Sequence, residues 1–196
     1  MTTRVLFQGD SITDCNRFSV GEYGDGYVSQ VVTQRPDLEI FNRGISGNKS
    51  SDLLDRWQED TINLQPDILF IFVGVNDCWH PAAGHTTRPH TMLKKDYRKL
   101  LVWTKKSLPL TRIIMILPFL VVTDEFQKSF EPALLEVIEI EKELANEFGI
   151  ETIELNSYLN QEAAIQGKST LFWDGIHPTP KGHSLITAKV LEKLPF

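Results

Sequence analysis

Four short fragments carry residue types able to do nucleophilic chemistry together. In Gly9-Asp10-Ser11-Ile12-Thr13-Asp14 a serine follows a brief apolar run. A strand-to-helix turn there presents its hydroxyl on the rim of a sheet and its backbone N–H near a helix N-terminus, where developing negative charge is stabilised. Taken alone, a serine at such a turn is more often a helix cap than a nucleophile, and Asp10 reads as a hydrogen-bonding brace of the turn. Asn42-Arg43-Gly44-Ile45-Ser46-Gly47-Asn48 offers a second donor, because the Gly47 N–H can approach a ligand with no Cβ in the way; a tight turn accounts for the glycine as well. Gly74-Val75-Asn76-Asp77 adds the Asn76 side-chain amide as a third donor, or else an Asx turn. Last comes Trp173-Asp174-Gly175-Ile176-His177-Pro178. Serine needs a base that is neutral near pH 7, and histidine needs a carboxylate to hold its tautomer and stabilise the imidazolium. Asp174 and His177 are close enough for one turn to join them, and Pro178 keeps His177 out of α geometry, in a rigid loop before the last helix.

Groups so far apart in the chain need a scaffold that gathers them. Apolar runs at Arg4–Gln8, Leu38–Asn42, Ile68–Val73, Ile113–Leu117 and, more weakly, Glu151–Leu155 are continuous rather than alternating, as in strands buried on both faces of a parallel sheet. Between them lie stretches of helical periodicity, including Tyr27, Val28, Val31 and Val32, then Leu53, Leu54 and Trp57, then Leu93 to Leu108, then Leu134 to Phe148. Ser50 and Ser51 precede the second helix, Gly149 ends the fourth, and Thr179-Pro180 opens a last helix running to about Leu194. Five strands alternating with helices predict a three-layer α/β/α sandwich with a five-stranded parallel sheet and right-handed crossovers. Ligands in such folds bind beyond the carboxyl ends of the strands, where the first three fragments fall. Val75–Thr91 and Pro118–Ser129, the least regular stretches, lie on that same rim and are candidate substrate walls.

Composition narrows the partners. The 196 residues, with 41% hydrophobic and 23% charged, describe one globular domain spanning residues 1–196. A net charge of −6 disfavours nucleic acid and anionic membrane surfaces. The apolar run at Arg4–Gln8 is too short for a signal sequence or a spanning helix, and Cys15 and Cys78 form neither a disulfide framework nor a metal motif. A cytoplasmic location fits best.

Taken in order, GDSIT, NRGISGN, GVND and DGIHP resemble the blocks of the SGNH, or GDSL, hydrolase superfamily, from Phe7 to about Gly182. The resemblance implies a flavodoxin-like fold, Ser11 as nucleophile with Asp174 and His177 completing a triad, and an oxyanion hole of Ser11 N–H, Gly47 N–H and the Asn76 side chain. It implies acyl transfer on a small-molecule ester with no metal or organic cofactor. GDSITDC, RGISGN followed by DLLDRWQED, GVNDCW and WDGIHPTPKGH further resemble small intracellular acetylesterases of acetylated xylooligosaccharides, a subgroup that suggests a homo-oligomer. A lysophospholipase, thioesterase or arylesterase of the same superfamily is the alternative, and a non-catalytic carbohydrate-binding relative stands behind it.

Other residues invite both sharp and plain readings. Trp79 and Trp173 can flank the cleft as apolar plates for a sugar or acyl group, or fill the core, where Trp57 and Trp103 belong. His80, His85 and His90 crowd one loop at a spacing that fits no standard metal motif. Cys15 reads as a small buried thiol one turn from Ser11. Arg43 and Arg56 read as partners of surface acids rather than substrate ligands. Glu136, Glu139, Glu141, Lys142, Glu143 and Glu147 read as the solvated face of the fourth helix.

Overall fold

The computed structural model describes residues 2–195, and each apolar run becomes a strand. β1 (Arg4–Gly9) leads into two single-turn helices, α1 (Ser11–Asp14) and α2 (Arg17–Val20), then α3 (Tyr27–Gln34). β2 (Glu39–Gly44) is followed by α4 (Ser50–Trp57), which continues as a π-helical turn over Gln58–Ile62. β3 (Ile68–Phe72) feeds α5 (Val75–Ala82), and a 3₁₀ turn at His90–Met92 opens α6 (Leu93–Ser107). The chain ends with β4 (Arg112–Leu117), α7 (Glu125–Phe148), β5 (Glu151–Glu154), α8 (Asn156–Gln166), α9 (Lys168–Leu171) and α10 (Pro180–Leu191). All strand pairs are parallel, in the order β2-β1-β3-β4-β5. Helices α3, α8, α9 and α10 form one connected group of packed helices and α4 to α7 another, the outer layers of an α/β/α sandwich.

The central strands are continuous apolar runs because both faces are covered: every residue of β3 is buried. Phe7 of β1 stacks on Phe70 of β3 with ring centroids 4.8 Å apart and meets Tyr27 of α3 edge-on at 5.6 Å. On the other side Trp57 is buried and donates its indole N–H to Thr104 Oγ1 at 3.0 Å, which satisfies the only polar atom of that side chain. Asp124 caps α7 by accepting from Gln127 N at 2.7 Å, and Gly149 closes the helix in the left-handed conformation at φ 62°. Thr179 caps α10 ahead of Pro180.

Three elements depart from the sequence reading. Half of the irregular stretch after β3 is α5, hidden because its buried face mixes Val75 and Cys78 with Asn76 and Asp77. α7 reaches back to Glu125 because Asp124 caps it there, whereas α10 stops at Leu191, short of Leu194. Glu141 is not on the solvated face of α7 but fully buried: three residues before Leu144 and three after Ile138, it falls in the apolar stripe, and both its carboxyl oxygens lack a hydrogen-bond partner among the described residues. Burial raises its pKa well above the usual carboxylate range. Among the described residues no helix is long and apolar enough to cross a membrane.

Candidate active site

Sheet register brings three of the four fragments to one edge. Gly9, the last residue of β1, pairs with Gly44 of β2 and with Phe72 of β3, so the segments that follow these strands emerge side by side. The chain leaves β1 for β2 on one side and later fills β3 on the other, which makes the carboxyl end of β1 the topological switch point of the sheet. Ser11 stands there. Asp10 caps its turn, accepting from Ile12 N at 3.1 Å. Asn42 and Asp14 tie this turn to the loop after β2: Asn42 Nδ2 donates to Thr13 O at 2.7 Å, while Asp14 Oδ2 accepts from Ser46 N at 3.0 Å and Ser46 Oγ at 2.7 Å.

From the C-terminal side a closed loop delivers the histidine. Trp173 N donates to His177 O at 2.9 Å, Val121 N to Gly175 O at 3.0 Å, and Gln127 Nε2 to Asp174 O, so the segment after β4 holds the loop from behind. Ser11 Oγ lies 3.0 Å from His177 Nε2, and His177 Nδ1 lies 2.6 Å from Asp174 Oδ2. Asp174 Oδ1 accepts the backbone N–H groups of Ile176 at 2.9 Å and His177 at 2.8 Å. Partial burial works to raise the Asp174 pKa, but its bonds with His177 and Ile176 outweigh that and hold it at about 2. The hydrogen bond to Asp174 raises the His177 pKa against the opposing effect of burial. With the carboxylate fixing a proton on Nδ1, the Nε2 lone pair faces the Ser11 hydroxyl, the arrangement for taking its proton.

Three N–H donors stand nearby. Neither Ser11 N nor Gly47 N has a backbone acceptor among the described residues. Gly47 sits at φ 80°, and a Cβ there would meet nothing, so glycine is required by the backbone conformation and the side facing the cleft is open. Asn76 Nδ2 gives one N–H to Asn48 O at 3.1 Å; its other contact, Asp10 Oδ2, is at 3.5 Å, the far limit of a hydrogen bond. Burial pushes Asp10 up to about 7.

A cleft of about 470 Å³ joins Ser11, Gly47, Asn76, Trp79, Asp174 and His177, all singled out in the sequence. Trp173 does not line it. With its surface 73% exposed, Trp173 flanks a separate hollow of about 240 Å³ beside Asn16 and Cys15 that shares only Ser11, Ser46 and His177 with the main cleft. Ser46, Asp124, Phe126, Gln127, Ile176 and His80, the last read only as one of three crowded loop histidines, complete the main walls. Their signal was the position of their segments: His80, Asp124, Phe126 and Gln127 all come from the two rim stretches read as substrate walls.

Several plain readings change. Cys15 is half-buried, with its Sγ 3.2 Å from Asp25 Oδ1 and 3.3 Å from His183 Nε2, because the chain turns left-handed at Cys15 (φ 37°) and Asn16 (φ 66°) instead of continuing a helix. Arg56 is no surface partner: besides Asp60 at 2.9 Å it bonds the carbonyl of Arg43 at 2.8 Å and Asn48 Oδ1 at 2.9 Å, bracing the loop that carries Gly47. Arg43 also faces Asp60, at 3.8 Å. His80 and His85 meet Trp79 edge-on at 5.1 and 5.2 Å, while His90 pairs with Glu136 at 2.8 Å. Among the described residues no group of three or more His, Cys, Asp or Glu is placed to hold a metal ion.

Residues 7–185 match the GDSL-like lipase/acylhydrolase family. An acetylxylan esterase of Geobacillus stearothermophilus is 31% identical over 210 residues, covering 98% of this chain and 94% of that protein. The GDSL esterase/lipase CPRD49 of Arabidopsis thaliana is 27% identical, covering 95% of this chain and 76% of its own. Among solved structures, the G. stearothermophilus acetylxylan esterase Axe2 superposes with a TM-score of 0.87 at 30% identity, over 99% of this chain and 94% of that one. Structures of its catalytic mutants replace a serine, an aspartate and a histidine by alanine. A match of this length, with an α/β/α sheet that superposes over nearly the whole chain, makes this protein a member of the GDSL-like lipase/acylhydrolase family and a carboxylic-ester hydrolase.

Proposed function

We propose that the protein, as one domain, removes acetyl groups from acetylated xylooligosaccharides or related sugars, with Ser11, His177 and Asp174 as its catalytic triad. The observation that carries this is the unbroken hydrogen-bonded line from Ser11 Oγ through His177 to Asp174, opening on the cleft. His177 Nε2 takes the Ser11 proton as Oγ attacks the ester carbonyl, and the oxyanion meets Ser11 N–H, Gly47 N–H and the Asn76 amide. The tetrahedral intermediate collapses to an acetyl-serine as His177 passes its proton to the leaving sugar hydroxyl. Water, deprotonated by His177, then attacks the acetyl group; acetate leaves and the proton returns to Ser11 Oγ.

The walls favour a neutral substrate. Trp79 and Phe126 supply apolar plates, Asp124, Gln127 and His80 supply polar edges, and among the described residues no lysine or arginine lines the cleft to receive a phosphate. That composition suits an acetylated sugar better than a lysophospholipid or a coenzyme A thioester. The likeness to an acetylxylan esterase supports the same choice. Acetate release from acetylated xylooligosaccharides, run beside acetyl and octanoyl chromogenic esters, tests it: acetyl preference and sugar deacetylation are expected, and an octanoyl preference defeats the reading. A fluorophosphonate probe should label the wild type but not Ser11→Ala.

A further inference from the structure

Two of the oxyanion donors come from the segments after β2 and β3, and these strands are not neighbours, since β1 lies between them. Their spacing must therefore be set across the end of β1. One link is direct, from Asn76 Nδ2 to Asn48 O. The stronger link is made behind the cleft by the residue next to Asn76. Asp77 Oδ2 accepts Ser50 N–H at 3.0 Å and its Oδ1 accepts Ser50 Oγ–H at 2.6 Å. Ser50 begins α4, three residues after Gly47; it is fully buried, and Asp77 is 3% exposed. Asp77 is absent from the cleft wall, so any part it plays is exerted through its neighbours.

A second carboxylate converges on the same hydroxyl: Asp96 Oδ2 of α6 lies 3.2 Å from Ser50 Oγ, although Ser50 has a single O–H to give. Arg88, from the rim segment between α5 and α6, hydrogen-bonds Asp96 through Nη2 and places Nη1 3.8 Å from Asp77 Oδ1. The other charged or titratable groups acting on Asp77 are Asp10 from the end of β1, Tyr97 from α6, Cys78 beside it on α5 and Glu141 from α7, none of them a cation. Burial pushes Asp77 up to about 6, opposed by the Ser50 hydrogen bonds and by Arg88.

We propose that Asp77 is a positioning residue: its carboxylate clamps the first turn of α4 to that of α5, holding the Gly47 and Asn76 donors at their working separation, with Arg88 as the clamp's counter-ion. This rests on the reading of Ser11 as nucleophile and of Gly47 and Asn76 as oxyanion donors. Donors of this kind act only if held within a fraction of an ångström, because they are aimed at the oxygen of the transition state rather than of the bound ester. Loosening the clamp therefore lowers kcat and leaves KM in place.

The test measures kcat and KM of the full chain on 4-nitrophenyl acetate for Asp77→Asn, Ser50→Ala and the double variant. Each single change is expected to lower kcat about tenfold or more with KM nearly constant, and the double variant to be little worse than either, since both cut one link. Arg88→Met is expected to lower kcat with KM nearly constant, by leaving Asp77 among acids alone, and Arg88→Lys to restore it. A folded Asp77→Asn enzyme with wild-type kcat, or one in which KM rises while kcat stands, overturns the clamp. If Asp77→Asn does not fold, Ser50→Ala and Arg88→Met decide, and a wild-type kcat in both overturns it. Ser11→Ala separates the two claims: if that variant still turns over, the catalytic reading fails, whereas an inert Ser11→Ala beside an unaltered Asp77→Asn fails only the clamp.

Discussion

Two nucleophile–histidine–aspartate groups stand four residues apart in this chain, and only one has its protons placed as the proposed chemistry needs. Ser11 Oγ and Cys15 Sγ each face the Nε2 of a histidine, at 3.0 Å from His177 and 3.3 Å from His183. The decisive difference lies at the other ring nitrogen. His177 Nδ1 faces the Asp174 carboxylate, which keeps a proton there and leaves Nε2 free to accept. His183 Nδ1 instead accepts the backbone N–H of Tyr27 at 3.2 Å, so the neutral ring carries its proton on Nε2 and can only donate to the thiol. The third member differs too: Asp25 accepts from Cys15 itself rather than orienting the histidine. Burial, then Asp25, push the Cys15 thiol up to about 12, and burial pushes His183 down to about 4. Residue types within reach of each other are not a catalytic group; the direction of each proton decides.

The largest expected effect breaks the pair apart. Ser11→Ala should lower kcat on acetyl esters by a factor on the order of 10⁴ to 10⁶, while Cys15→Ser, measured in the same assay, should change it by no more than about threefold. Comparable losses in both would mean that the cysteine group takes part.

Next comes Asp174→Asn, expected to lower kcat on the order of 10⁴-fold by releasing the histidine tautomer. The ring protons of the two histidines, followed by NMR against pH, should titrate on opposite sides of the ordinary histidine value, His177 above it and His183 near 4. Since a protonated His177 cannot accept from Ser11, activity should fall as pH drops through that raised value. In Asp174→Asn the His177 midpoint should move down; an unmoved midpoint would show that the carboxylate is not its cause.

A smaller effect concerns stability. The folded pKa of His183 lies below its unfolded value, so its contribution is present in full above about pH 6.5 and is lost as pH falls through about 4. The loss is on the order of 3 kcal/mol for a side chain this buried. Urea unfolding at pH 7 and pH 4 should show wild type losing more stability than His183→Asn by about that amount. Equal losses would assign the acid sensitivity to other groups.

Much of the scaffold was legible from local pattern. Ile68–Val73 could be read as a central strand because its apolar residues do not alternate, and the structure buries all of β3. Asp174 and His177 could be paired because three residues and a proline leave a short loop little freedom. Other assignments failed where one residue's surroundings come from distant segments. Glu141 sits in a charged run yet faces inward, Arg56 has the composition of a surface residue yet bonds the Arg43 carbonyl, and Trp173 adjoins Asp174 yet points to solvent. The helix α5 was obscured because Asn76 and Asp77 occupy buried positions that pattern reading reserves for apolar side chains.

Taken by itself, the amino-acid order determined the parallel sheet, the order of its strands and helices along the chain, and the identity of the groups gathered at its rim, because backbone hydrogen bonding and burial impose periodicities that a linear string records. Only the tertiary structure decided which histidine meets a carboxylate, which meets an amide, and which aspartate lies behind Gly47 and Asn76. Those outcomes depend on separations of a few ångströms between segments as much as 166 residues apart, such as Ser11 and His177. Hydrogen-bond direction and desolvation change sign over such distances, and no local pattern encodes them.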